Sequence, residues 1–198
     1  MSNKSDSFFS KRLYPLLFML LVTVVCILAT SGLYLGTQTK ALANELSFTR
    51  KAVLDAAQIS YQASQAGIEQ AFTTSIIEQD GYYETTGTAS KRYVVPLEGS
   101  GLWGKISLMV GFEDDMTTFS GVAIVSQNET PGLGARIEEA WFTAQFQGKR
   151  APFSMVEEGT ADADNEIDAI TGATRTSEYF KTLVDQAPST AKLIVRGQ

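Results

Sequence analysis

From Leu13 to Thr39 the chain carries no charged residue, and its centre, Tyr14 to Gly36, is built mainly from Leu, Phe, Met, Val and Ile. A run of this length and polarity has few places to go. In lipid every backbone polar group must be satisfied within the segment, so it reads as a membrane-spanning helix. Pro15 falls in the first turn, where a missing N–H costs little. Tyr14 and Tyr34 suit the two interfaces. The reading is a cytoplasmic N-terminus over 1–12, a transmembrane helix over 13–39, a helical stalk and the start of a domain over 40–80, and the domain proper over 81–198. Ala41-Leu42-Ala43 imitates a signal-peptidase site, but the apolar run exceeds a usual signal-peptide core, which favours an uncleaved anchor. Lys4, Lys11 and Arg12 precede the run and Lys40, Arg50 and Lys51 follow it, so charge alone does not orient the span.

Composition then removes whole classes of chemistry. The chain has no histidine, the commonest general base and metal ligand. Its one cysteine, Cys26, lies inside the apolar run, which leaves no disulfide and no thiolate cluster. Redox work would therefore need a borrowed organic cofactor. Of the 16 basic and 22 acidic residues, Lys4, Lys11, Arg12, Lys40 and Asp6 lie in the first forty positions. Residues 41–198 therefore hold 12 basic and 21 acidic residues, a net charge of −9. No basic stripe with interleaved aromatics is present, which argues against nucleic-acid binding.

Beyond the anchor the periodicities predict an α+β domain. Residues 44–77 are rich in Ala, Gln, Glu and Leu without proline and favour helix. Residues 81–92 read as loop or short strand. Ile106 to Phe112 alternates apolar residues at every second position, Glu113-Asp114-Asp115 makes a turn, and Phe119 to Val125 returns as the second arm of an antiparallel hairpin. Ile137 to Phe146 looks helical and Pro152 to Val156 extended. Ala161 to Asn165 reads as an acidic loop, Ile167 to Ile170 as a short strand, and Arg175 to Gln186 as a helix.

Three small-residue stretches remain. Gly99-Ser100-Gly101-Leu102-Trp103-Gly104-Lys105 nearly writes a phosphate-binding P-loop. The next residue is Ile106 instead of Ser or Thr, and the run opens a strand where a P-loop opens a helix, so that reading fails. Asn128-Glu129-Thr130-Pro131-Gly132-Leu133-Gly134 holds a Pro-Gly turn. Asp168-Ala169-Ile170-Thr171-Gly172-Ala173-Thr174 places a hydroxyl beside small residues at a helix start, where unpaired N–H groups and the positive dipole end suit a phosphate. On local grounds alone Thr174 reads first as a helix N-cap.

These motifs, in this order, resemble the FMN-binding subunit family of bacterial ion-translocating oxidoreductases, whose members serve the sodium-translocating NADH:quinone reductase (Nqr) and the Rnf complex. The resemblance is carried by Gly101-Leu102-Trp103, the Glu129 to Gly134 run, Arg136-Ile137, Trp141, Gly148-Lys149 and the Asp168 to Thr174 run. One departure is Ser126-Gln127-Asn128, where the family often has a histidine ahead of the glutamate.

The resemblance implies one FMN per chain, bound covalently through a phosphoester to Thr174, with Gly172 and Ala173 giving room and Thr171 donating to the phosphate. It implies that Thr176 and Ser177 reach the phosphate from the first helical turn, that Arg175 offsets its charge, and that Asp168 serves the flavin transferase that installs the group. Glu129, Thr130, Leu133 and Gly134 would line the isoalloxazine, with Trp103 beside it. It further implies a twisted antiparallel sheet with packed helices, and a single-pass protein of the bacterial cytoplasmic membrane with its soluble domain on the periplasmic side. Its partners would be the other membrane subunits of an Rnf- or Nqr-type translocase, linked to NADH or ferredoxin; the polypeptide alone would turn over no substrate. The alternative is an anchored flavin-binding or regulatory module of another extracytoplasmic electron-transfer system, and a blander one is an anchored domain without cofactor.

Overall fold

The computed structural model describes residues 13–87 and 90–197, so the expected cytoplasmic N-terminus over 1–12 lies outside the described residues. The chain forms two compact units, Met1–Leu46 and Ser47–Gln198. The described part of the first is helix. Helix α1 spans Tyr14–Ala56, 43 residues and about 65 Å at the usual rise. Leu16, Leu20, Leu28 and Leu35 are all exposed, as are Phe18 and Met19 beside them. By length and composition this stretch is long and apolar enough to cross a membrane. The hydroxyls of Thr23, Thr30 and Thr37 donate back to the carbonyls of Met19, Cys26 and Leu33 at 2.8–2.9 Å, which leaves no stray donor on this stretch from those threonines.

The second unit is built on a five-stranded antiparallel meander, β1 (Ile76–Gln79), β2 (Tyr82–Thr85), β3 (Arg92–Ser100), β4 (Lys105–Glu113) and β5 (Phe119–Ser126), paired in chain order. The predicted hairpin is β4–β5, with Val110 opposite Val122 and Leu108 opposite Ile124. Alternation along the strands supplies two apolar faces. Val95, Leu97, Ile106, Leu108, Val110 and Phe112 point to one core, with Phe142 and Phe146. That core is closed by α4 (Thr174–Arg196) through Phe180, Leu183, Val184, Ala187 and Ala191. Val94, Met109 and Ala123 face a second core made by the end of α1, Ala52 to Ala57, and by Phe72 of α2 (Gln65–Ser75).

The expected continuous helix over 44–77 is broken at Gln58, which takes a left-handed φ of 55°. Its N–H bonds to the Asp55 carbonyl, and the Ile59 N–H reaches back to Leu54. This is the Schellman pattern with glutamine where glycine is usual. The left-handed turn is held from outside. Ser120 Oγ donates to the Ala56 carbonyl at 2.7 Å and Arg92 Nη1 to that of Ala57 at 2.9 Å. Room for this approach comes from the cross-strand pair Gly111 and Gly121, since a Cβ on Gly111 would fall 2.0 Å from the Ala56 oxygen. Helix α2 then starts at its N-cap Ser64, whose hydroxyl accepts from the Gly67 N–H.

After β5 come a 3₁₀ turn over Gly134–Glu138 and the short helix α3 (Ala140–Ala144), where a single helix over 137–146 is expected. Strands β6 (Ser154–Val156) and β7 (Glu166–Asp168) form a parallel pair that leads into the Asp168 to Thr174 run. Helix α4 continues ten residues past the expected end at Gln186, through Pro188, to a left-handed Gly197.

Candidate functional site

The periodicity of α4 decides which hydroxyls face where. Its buried residues are Thr176, Ser177, Phe180, Leu183, Val184, Ala187 and Ala191, a single stripe at helical spacing. Thr174 and Glu178 lie on the other side and are exposed. Thr174 opens the helix, and the preceding residue, Ala173, offers no side-chain cap. Gly172 takes a φ of +79°, a left-handed turn that a side chain would strain. Beside this turn lies an open hollow of about 760 Å³, lined by Thr174, Gly172, Thr171, Glu178, Glu158 and Thr160 among others. That volume is the scale of a small-molecule cofactor.

The Glu129 to Gly134 loop packs on the same turn. Leu133, 45% exposed, brings its Cδ2 to 3.3 Å from where a Cβ on Gly172 would stand. The loop is closed by the Thr130 carbonyl, which accepts from the Leu133 and Ala135 amides. Glu129 itself is turned inward and buried. One carboxylate oxygen accepts from the Trp103 N–H at 3.1 Å and the other from Thr176 Oγ1 at 2.7 Å. Space for the carboxylate exists because positions 101 and 134 are glycines, where a Cβ would lie 2.4 Å and 2.9 Å from its oxygens. One buried anion therefore ties three sequence-distant motifs together: the Gly101 to Gly104 turn, the loop, and the start of α4. Trp103, held by its backbone, leaves its indole 71% exposed.

This geometry redistributes the expected roles. Thr176 and Ser177 do not face the hollow: Thr176 is engaged with Glu129, while Ser177 Oγ donates to the Ala173 carbonyl and accepts from the Ile170 N–H. Both are buried, and their hydroxyls hold the helix start in place. Counting back from Phe180 by three and four residues places both on the buried stripe. Arg175 stacks its guanidinium 5.8 Å over the Tyr179 ring, and it does not line the hollow. Asp168 is a loop organiser: its Oδ1 accepts from the Thr160 and Ala161 amides, and its own N–H donates to Gln145. Glu129 and Gly134 belong to the interior cluster, and Leu133 of that loop lies against the Gly172 turn.

Two further residues beside this turn are not among the expected site residues, although Arg136 belongs to one of the stretches that carry the resemblance. Glu158 Oε2 accepts from the Thr171 N–H at 2.7 Å, and Arg136 Nη2 donates to Glu158 Oε1 at 3.1 Å. The Thr171 amide and hydroxyl, with Arg136 adding its charge, pull the Glu158 carboxyl down to about 2. Arg136 in turn is braced by Glu139 and lies over the Trp141 ring, 5.5 Å from its centroid. No local signal points to Glu158; only its nearness in space to Thr171 does. A second hollow of about 700 Å³ runs along β5 between the end of α1 and α3, and none of the expected site residues lines it.

Residues 101–189 match the family model of the FMN-binding domain. Over 147 residues the chain is 34% identical to a subunit of the Na(+)-translocating NADH-quinone reductase of Vibrio anguillarum, an alignment covering 69% of this chain and 56% of that one. Over 110 residues it is 40% identical to a subunit of the proton-translocating ferredoxin:NAD(+) oxidoreductase complex of Clostridium ljungdahlii, covering 56% and 58%. The chain thus spans little more than half the length of these relatives. Its fold is that of the crystal structure of a Na(+)-translocating NADH-quinone reductase subunit from Parabacteroides distasonis, with a TM-score of 0.66 at 22% identity over 77% of this chain and 93% of that one.

Proposed function

We propose, from the match of residues 101–189 to the FMN-binding domain model, that this chain is a membrane-anchored electron carrier whose FMN is esterified through its phosphate to Thr174. The observation that carries the reading is the position of Thr174, exposed on the first turn of α4 at the rim of the hollow, beside the left-handed Gly172 and with no side chain capping the helix. A helix start without a cap presents unpaired N–H groups to an anion, and the glycine lets it approach the backbone. The residues present suit the group. Thr174 would hold the phosphate, Thr171 and Gly172 the turn beneath it, and Leu133 would meet the ring system from the neighbouring loop, with Trp103 exposed on the turn that Glu129 ties down.

When bound, FMN supplies one- and two-electron transfer that no side chain of this histidine-free chain offers. The chain's own part is to retain and orient it. Attachment would need an external transferase, with Thr174 Oγ1 as the nucleophile towards the FMN-side phosphorus of FAD, AMP as the leaving group carrying the electron pair, and the transferase taking the hydroxyl proton. The carrier would work as one component of an Nqr- or Rnf-type ion-translocating oxidoreductase, with its domain on the periplasmic face of the cytoplasmic membrane and the other membrane subunits as partners. Support comes from the relatives named above and from the apolar first helix.

The test is co-expression of the full chain with a flavin transferase, followed by denaturing electrophoresis under ultraviolet light and intact mass. The expected result is a fluorescent band carrying one FMN, lost in Thr174→Ala and kept in Thr176→Ala. A dark wild-type band beside an active transferase control removes the covalent reading.

A further inference from the structure

We propose that Glu158 is an exchangeable stand-in for the flavin phosphate: its carboxylate holds the Thr171 amide in the flavin-free chain and yields it to a phosphate oxygen when Thr174 is esterified. The inference rests on the attachment reading above and concerns the regulation of that site. Glu158 comes from the loop after β6, yet it crosses to the attachment turn and takes the N–H three residues before Thr174. It does so as a positioned anion, with its second oxygen held by Arg136, which is itself fixed by Glu139 and by stacking on Trp141. Glu158 and Thr174 line the same hollow. A carboxylate and a phosphodiester oxygen are both anionic acceptors of a backbone N–H, and two such charges competing for one donor repel. The arriving phosphate therefore displaces Glu158, which keeps its ion pair with Arg136 outside the turn. Until then the carboxylate keeps the Thr171–Gly172 turn in the shape the phosphate needs.

The role is a positioning one, and its signature is a difference between two states of the same chain. Thr171 amide exchange and chemical shift would be followed by NMR in the full chain in detergent, flavin-free and flavinylated. In the flavin-free chain Glu158→Ala should lower protection of Thr171 by about tenfold, the loss of one charge-assisted hydrogen bond. Glu158→Gln, which keeps an acceptor, should retain most of it. In the flavinylated chain neither variant should move the Thr171 signal. Glu158→Gln should also accept FMN from the transferase about threefold faster, because a like charge has been removed. If Glu158→Ala perturbs Thr171 equally in both states, the carboxylate never leaves and the exchange is overturned while flavinylation stands. If the wild-type chain takes no flavin, both this inference and the attachment reading fall.

Discussion

At the scale of single residues, the site is governed by two carboxylates with opposite settings. Glu129 is buried and saturated; Glu158 lies at the surface and is poised on one amide. Removing Glu129 would leave the Thr176 hydroxyl buried without its acceptor and would release the Trp103 N–H. Glu129→Ala should therefore destabilise the domain by about 2–4 kcal/mol in urea titration. Glu129→Gln, which still offers an oxygen, should cost about 1 kcal/mol. Both positions show the limits of reading residues in isolation. The glutamate of the loop is visible in the sequence as part of a motif, but its function as an interior clasp depends on Thr176, forty-seven positions away. Thr174 stands in a contiguous motif and lies exposed at the rim of the hollow. Thr176 lies elsewhere, because two positions along a helix turn a side chain to the opposite face, so nearness in sequence to Thr174 does not place it on the same hollow.

At the scale of elements, local pattern and tertiary demand part company in identifiable places. The β4–β5 hairpin follows from alternation and a polar turn, and it forms where expected. Strand β3 is hidden by Pro96 and Gly99, residues that weaken a strand reading. Pro96 is tolerated because β2 pairs with β3 only at Tyr93 and Val94, so beyond them that side of β3 is an edge. Helix α4 runs through Pro188 because its buried stripe continues to Ala191, and burial outweighs a proline penalty of about 3 kcal/mol. The end of α1 lands on the sheet only where two glycines face each other. Gly111→Ala would drive a Cβ into the Ala56 carbonyl and should cost about 3 kcal/mol or more, with lower protection of α1 residues 52–57 in hydrogen exchange. Gly99→Ala, whose nearest neighbour is the flexible Leu183 side chain, should cost less than half of that in the same measurement.

For the molecule as a whole, the apolar run and the domain that follows it make a topological prediction. Cys26, the single native thiol, lies within the long apolar helix. An Asp164→Cys variant, placed on the exposed acidic loop, should react with a membrane-impermeant maleimide in intact spheroplasts, while the parent chain should not. Labelling only after lysis would put the domain in the cytoplasm and remove the periplasmic assignment.

What the sequence determined alone is whatever depends on neighbours along the chain. A long uncharged run makes a helix apolar enough to cross a membrane, a period of two makes a hairpin, and a helix-favouring stretch from Arg175 makes the start of α4. What the tertiary structure decided is every pairing between distant residues: Ala56 on Gly111, Glu129 between Trp103 and Thr176, Arg136 on Glu158 and Glu158 on Thr171. Such contacts form only after the intervening chain has closed, and they are set by how sheet and helices pack around the apolar faces; short-range propensity does not encode which polar groups that packing brings together.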